Sequence, residues 1–229
     1  MAKIDAILFD MDNTLLDFMY YKRETAKAVA KAMIKHGLPA TEKEVIDRIF
    51  QIYKEKGIEY QKTCYDIVFP YNLEINLAEK IQHAGIVAYQ KRKFEALYPY
   101  PGVKETLSKL KRKGLKLGLV SDAPRNKVWD RLIIAGLEDF FDVVVSHSDT
   151  LQFKPHPSSF QLALKKLGLP PVHVLFVGDD PSRDIKGAMS LGMKTALAKY
   201  GETWKQHQRQ DIIPDYTLDK FEDLLDILR

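Results

Sequence analysis

Four short polar clusters in this 229-residue chain carry residue types that can do chemistry. Asp10-Met11-Asp12-Asn13-Thr14 places two carboxylates and a hydroxyl at alternate positions. Ser121-Asp122 pairs a hydroxyl with an acid, Lys154-Pro155 offers an ammonium, and Gly178-Asp179-Asp180 is followed by Asp184. Carboxylates gathered in one place repel one another and hold protons more tightly unless a cation neutralises them. The ligands on offer are hard oxygens, with no histidine or thiol among them, and that suits Mg²⁺. Mg²⁺ held by few carboxylates keeps positions for water and for phosphate oxygens. Phosphoryl transfer needs this neutralisation together with an in-line nucleophile. An aspartate can be that nucleophile, through an aspartyl-phosphate that water then hydrolyses.

Such clusters work together only if the fold brings them to one edge. Residues 4–9 form an apolar run that stops at Asp10, the mark of a buried strand. Beyond residue 98, strands expected at 116–120, 143–145, 172–177 and 194–198 alternate with helices at 126–135, 160–167, 185–191 and 221–228. This alternation implies an α/β fold: a doubly wound, Rossmann-like parallel sheet with helices on both faces. Ligands bind such sheets beyond the carboxyl ends of the strands, and all four polar clusters follow strands.

The intervening block reads as all helical. Ala26, Val29, Ala30, Met33 and Ile34 recur at helical spacing until Gly37-Leu38-Pro39. Thr41 with Glu44 forms a capping-box start for a helix to about residue 53, and another helix covers about 77–96. Tyr98-Pro99-Tyr100-Pro101-Gly102 then punctuates the chain. The expected division is an α/β core of residues 1–17 and 98–229 with an inserted helical cap of residues 18–97.

Composition bounds the partners. With 45% hydrophobic and 29% charged residues, the chain is ordinary globular protein rather than a disordered segment. The single cysteine, Cys64, excludes an intrachain disulfide and a cysteine-based zinc cluster. The net charge of +4 is spread along the chain. The basic runs at 91–93 and 109–113 read as solvated helix faces, so no nucleic-acid partner is expected. No apolar run approaches a membrane span. In Met-Ala-Lys-Ile-Asp an acidic residue, Asp5, stands where a signal peptide would be apolar, so a cytoplasmic location and no membrane partner are expected. His36, His83, His147, His156, His173 and His207 do not fall at metal-ligand spacing, and Cys64 reads as a buried apolar residue.

The four clusters, in this order and at strand ends, resemble the motifs of the haloacid dehalogenase (HAD) superfamily over nearly the whole chain. The closest likeness is to subfamily I, the phosphoglycolate-phosphatase-like branch. The helical block is similar to that family's cap, and Tyr100-Pro101-Gly102-Val103 to its return hinge. The resemblance implies a Mg²⁺-dependent phosphatase acting on a small phosphorylated metabolite. In it Asp10 is nucleophile and metal ligand. Asp12 is general acid and base, with its backbone carbonyl on the metal. Ser121 hydrogen-bonds the transferring phosphoryl group, and Lys154 neutralises charge on nucleophile and phosphate. Asp179 is a direct Mg²⁺ ligand. Asp184 is a further ligand, or a partner holding a metal water or Lys154. Asp122 joins Ser121 and Lys154 as a substrate-binding residue. The family often carries asparagine there, and a carboxylate cannot donate as an amide does. Asp180 reads both as a third acid and as a helix cap.

Other functions fit parts of the pattern. A 2-haloacid dehalogenase shares the fold but attacks carbon and lacks the second aspartate, so Asp12 argues against it. A sugar-phosphate mutase would return the phosphoryl group to substrate, and the motifs do not separate it from a phosphatase. A receiver-like acceptor or a catalytically silent phospho-ligand module is the non-enzyme reading. Receivers place their acids on a different strand order. The expected assembly is a monomer or homodimer.

Overall fold

The structure is a computed structural model in which residues 3–201 and 211–228 are described. His207 and the chain's first two residues, which entered the metal-ligand and signal-peptide readings, lie outside the described residues.

The chain divides into two compact units, one of Met1–Phe18 with Tyr98–Arg229 and one of Met19–Leu97. The first is built on β1 (Ala6–Phe9), whose four apolar residues are all buried because both faces of the strand are covered. Alternate side chains serve opposite faces. Ala6 and Leu8 pack with Phe160, Leu164, Phe176 and Met193, while Phe9 meets Phe221, ring centres 5.8 Å apart.

The helices that follow β1 are α1 (Phe18–Lys35), α2 (Glu42–Lys56), α3 (Thr63–Val68) and α4 (Ile75–Ala96). Thr41 caps α2 through the reciprocal box expected from the sequence, its hydroxyl accepting from the Glu44 N–H. The short α3 was not expected. Its apolar residues Ile67 and Val68 join Val29, Met33, Ile49, Ile52 and Ile81 in this unit's own core. Gly85 of α4 permits a close approach there, since a Cβ would come within 2.6 Å of Met33 Cε.

The first unit resumes with α5 (Val103–Arg112), β2 (Lys116–Val120), α6 (Arg125–Ala135), β3 (Val143–Val145), α7 (His147–Thr150), α8 (Ser158–Leu167), β4 (Val174–Gly178), α9 (Lys186–Ser190), β5 (Lys194–Ala198), β6 (Tyr216–Leu218) and α10 (Leu224–Ile227). The strands form one parallel sheet in the order β3-β2-β1-β4-β5-β6. β6, three residues long, was not foreseen. The helix expected at 185–191 is shorter and is preceded by a wide π-type turn, Pro181–Ile185. The chain leaves and re-enters this unit through paired segments: the Asp17 N–H donates to the Tyr98 carbonyl and the Tyr100 N–H to the Leu15 carbonyl.

Candidate active site

Sheet register brings the four clusters together. Beyond β1 the Asp10 N–H donates to the Val177 carbonyl at 2.9 Å, and beyond β2 the Ser121 N–H donates to the Val145 carbonyl at 2.9 Å. The ladders therefore run on into the polar residues and fix where they start. The order reverses at β1, with β2 on one side and β4 on the other. That switch point is where a doubly wound sheet opens its crevice. Gly178, at the end of β4, lets the following turn fold back, because a Cβ there would lie 2.5 Å from the Asp184 side chain.

Asp10, Asp179 and Asp184 are buried, and one carboxylate oxygen of each lies within 4.8 Å of the others. Lys154 is the cation that Asp10 and Asp184 share. Its Nζ donates to Asp10 Oδ1 at 2.5 Å and to the Val120 carbonyl at 3.2 Å, and stands 2.7 Å from Asp184 Oδ1. The Lys154 side chain is only 1% exposed. Thr14 Oγ1 lies 3.4 Å from the other Asp10 oxygen and donates to it.

This packing sets the proton affinities. Burial pushes the Asp10 carboxyl up to about 7 against the pull of Lys154, and the charges of Asp184 and Asp12 add to the rise. Burial, then Asp10 and Asp184, hold Asp179 well above the usual carboxylate range. Burial alone would lower the Lys154 ammonium, but Asp10 and Asp184 outweigh it and hold it above the usual lysine range. Three carboxylates gathered beside one ammonium leave excess negative charge in a buried, oxygen-only donor set. That donor set fits a hard divalent cation.

The remaining residues of the sequence reading fall around this centre. Ser121 is buried and its Oγ accepts from the Ala123 N–H at 3.2 Å, so its own hydrogen is left to donate elsewhere. The Asp12 carboxylate is not part of the acidic cluster. It accepts from Arg131 Nη1 at 2.5 Å, and the Arg131 guanidinium lies 4.4 Å from the centre of the Phe18 ring. Asp180 takes the capping role: its Oδ1 accepts from the Ser182 and Arg183 N–H groups. Protein donors engage both oxygens of Asp122. Oδ1 accepts from the Lys154 N–H at 3.0 Å and Oδ2 from Arg183 Nη1 at 3.2 Å.

Sequence reasoning missed Arg131 and Arg183. A signal existed for Arg131, a cation on the same helical stripe as the buried Val128, Leu132 and Ala135. The histidines among the described residues stay outside the cluster; His147 stacks on Phe153 and His156 meets the Ser158 hydroxyl. Cys64 is half-buried, and burial pushes its thiol up to about 12. Among the described residues no helix is long and apolar enough to cross a membrane.

The comparisons agree with this fold. The family model for haloacid dehalogenase-like hydrolases matches residues 4–192. The chain is 32% identical to the glyceraldehyde 3-phosphate phosphatase of Pyrococcus furiosus, over 100% of its own length and 94% of that protein. It is 32% identical to the pyrophosphatase PpaX of Bacillus mycoides, over 99% and 97%. Among solved structures it is similar to a HAD phosphatase from Thermococcus onnurineus, at 26% identity and a TM-score of 0.70, covering 98% of each chain. The chain belongs to the haloacid dehalogenase-like hydrolases. It is a hydrolase of that family, and relatives aligned over its whole length carry phosphatase names.

Proposed function

We propose that the chain hydrolyses a small phosphomonoester through an aspartyl-phosphate on Asp10. The observation that carries this reading is the pairing of Asp10 with the buried Lys154 ammonium at 2.5 Å, beside Asp179 and Asp184. Asp10, Asp179 and the Asp12 carbonyl would hold Mg²⁺, with Asp184 as a further ligand or as the carboxylate that steadies Lys154. The ion supplies charge neutralisation on the phosphoryl oxygens. Lys154 adds positive charge at the same centre, and the Ser121 hydroxyl donates to a phosphoryl oxygen.

One Asp10 carboxylate oxygen attacks phosphorus. The phosphorus–oxygen bond to the leaving group breaks as Asp12 gives that oxygen a proton. Asp12, now a carboxylate, takes a proton from water, which attacks the same phosphorus and releases phosphate and free Asp10. Asp12 must leave Arg131, or share it, to reach these protons. The inserted helical unit is proposed as the cap that selects the leaving group.

The names of the relatives suggest the scale of substrate, a triose phosphate or pyrophosphate. A triose phosphate has the wider support, being the substrate named for five relatives that each align over 98% or more of this chain. Phosphate release would be measured from p-nitrophenyl phosphate, glyceraldehyde 3-phosphate and pyrophosphate, with Mg²⁺ and with EDTA. The reading expects metal-dependent release, fastest from glyceraldehyde 3-phosphate. Transfer back to a sugar without net phosphate release would make the chain a mutase. No turnover by folded protein would leave a binding module.

A further inference from the structure

We propose that Asp122 and Arg183 form a brace that positions Lys154, and that Asp122 is a positioning residue rather than a phosphate ligand. The inference rests on the phosphatase reading of the site. Lys154 lies in the loop between α7 and α8, with no ladder to hold its backbone. Its N–H is instead taken by Asp122 Oδ1 at 3.0 Å, from the loop after β2. The second oxygen of Asp122 accepts from Arg183 Nη1 at 3.2 Å. Arg183 Nε in turn donates to Asp180 Oδ2 at 2.8 Å. The Asp180 N–H donates to Asp184 Oδ2 at 3.1 Å, and Asp184 Oδ1 stands 2.7 Å from Lys154 Nζ.

The contacts close a ring through three loops, and Lys154 is held in it at both ends, by its backbone and by its ammonium. Within the wide turn Pro181–Ile185, Arg183 meets the Asp180 side chain and Asp184 meets the Asp180 backbone N–H, which closes the ring. A carboxylate at 122 is what this ring requires. An asparagine has one acceptor oxygen, so it would turn an N–H donor toward either the Lys154 N–H or the Arg183 guanidinium. The Arg183 side chain is 49% exposed, so its bond to Asp122 is screened and contributes little to stability; its consequence is orientation. With two carboxylates on its guanidinium, Arg183 is not disposed to recruit an anionic substrate.

The test is steady-state kinetics on p-nitrophenyl phosphate with Mg²⁺ for the wild type, D122A, D122N, R183Q and D122N/R183Q, with melting temperatures alongside. Loss of an outer partner that orients a reacting group costs about 10–100-fold. D122A is expected to lower kcat in that range with KM changed less than about threefold. D122N and R183Q should each lower kcat by less. The double variant should be at or above D122N, because the same brace is broken once and the donor clash is relieved. R183Q alters a half-exposed side chain and keeps the test alive if D122A fails to fold. Three results would overturn the brace: wild-type kcat in D122A and R183Q, a KM raised about tenfold or more with kcat kept, or losses that multiply in the double variant. A wild type without turnover would refute the phosphatase reading itself, whereas an active wild type with multiplying losses refutes only the brace.

Discussion

The two units treat charge in opposite ways. In the helical unit Lys43 meets Asp47 at 2.6 Å and Arg92 meets Glu95 at 2.9 Å, each with at least one side chain well exposed to water. In the α/β unit Lys154 meets Asp10 and Asp184 where every partner is a tenth exposed or less. Exposed pairs are screened and exchange freely with water, so losing one changes little. A buried charge that loses its partner is stranded, and the cost reaches several kcal/mol. The helical unit does have a buried cation, Lys22, but a backbone carbonyl and the Tyr53 ring are among its neighbours. Carboxylates are buried together at the strand ends of the α/β unit, which is where the chemistry lies.

The comparison can be broken most sharply at Asp10. Asp10→Asn removes the proposed nucleophile and should cut phosphate release by roughly 10⁴-fold or more, with the far-ultraviolet circular dichroism spectrum unchanged. Activity within about tenfold of wild type would sink the aspartyl-phosphate route.

Lys154→Met strands Asp10 and Asp184 without their ammonium. The metal-free protein should lose about 3–5 kcal/mol in urea unfolding. An unchanged midpoint would mean that the carboxylates are neutralised some other way.

Acidity sharpens the same point. A folded carboxyl raised to about 7, against an ordinary value of 3.8, binds its proton more tightly folded than unfolded. Asp10 therefore makes the metal-free protein less stable as pH rises from about 4 to 7, the window between those two values. A cation that needs the ionised form relieves this. The rise in Tm on adding Mg²⁺ should be several degrees larger at pH 8 than at pH 5.5. Equal shifts at both values would argue that no raised carboxyl takes part in binding.

Smaller effects belong to the helical unit. Gly85→Ala crowds Met33 and should cost about 1–2 kcal/mol, with the specific activity of the folded protein kept. Lys43→Ala removes a surface pair and should leave Tm unmoved, as differential scanning calorimetry would show. A large loss there would erase the contrast between the units.

What the sequence discloses follows the same division. β1, β2, β3, β4 and β5 are apolar runs that end in polar residues, and a run buried on both faces leaves that pattern in any context. Three of the four clusters were legible because each directly follows a strand, and Lys154-Pro155 because it precedes α8, the helix expected after β3. β6 was not, being three residues long with only Leu218 buried. Helix α3 was hidden because Phe69-Pro70 follows it so closely that it reads as an interruption. Arg183 gives no local sign of its role: its partner Asp122 is sixty-one positions away, and only folding brings them together. Asp122 carried the single hint, an acid where the related motif has an amide. The identity of the substrate stayed hidden because side-chain choice in the helical unit follows packing and solvent, neither of which encodes a leaving group.

The hydrogen bond from the Asp10 amide to the Val177 carbonyl places the proposed nucleophile directly beyond the most enclosed strand of the sheet. Amide exchange there needs the sheet to part at its centre, whereas the short edge strand β6 can fray alone. In deuterium the Asp10 amide should therefore be among the last to exchange, and its protection should report the global free energy of unfolding. A phosphoryl acceptor seated so deeply keeps its geometry through every partial opening of the molecule, and only complete unfolding abolishes it.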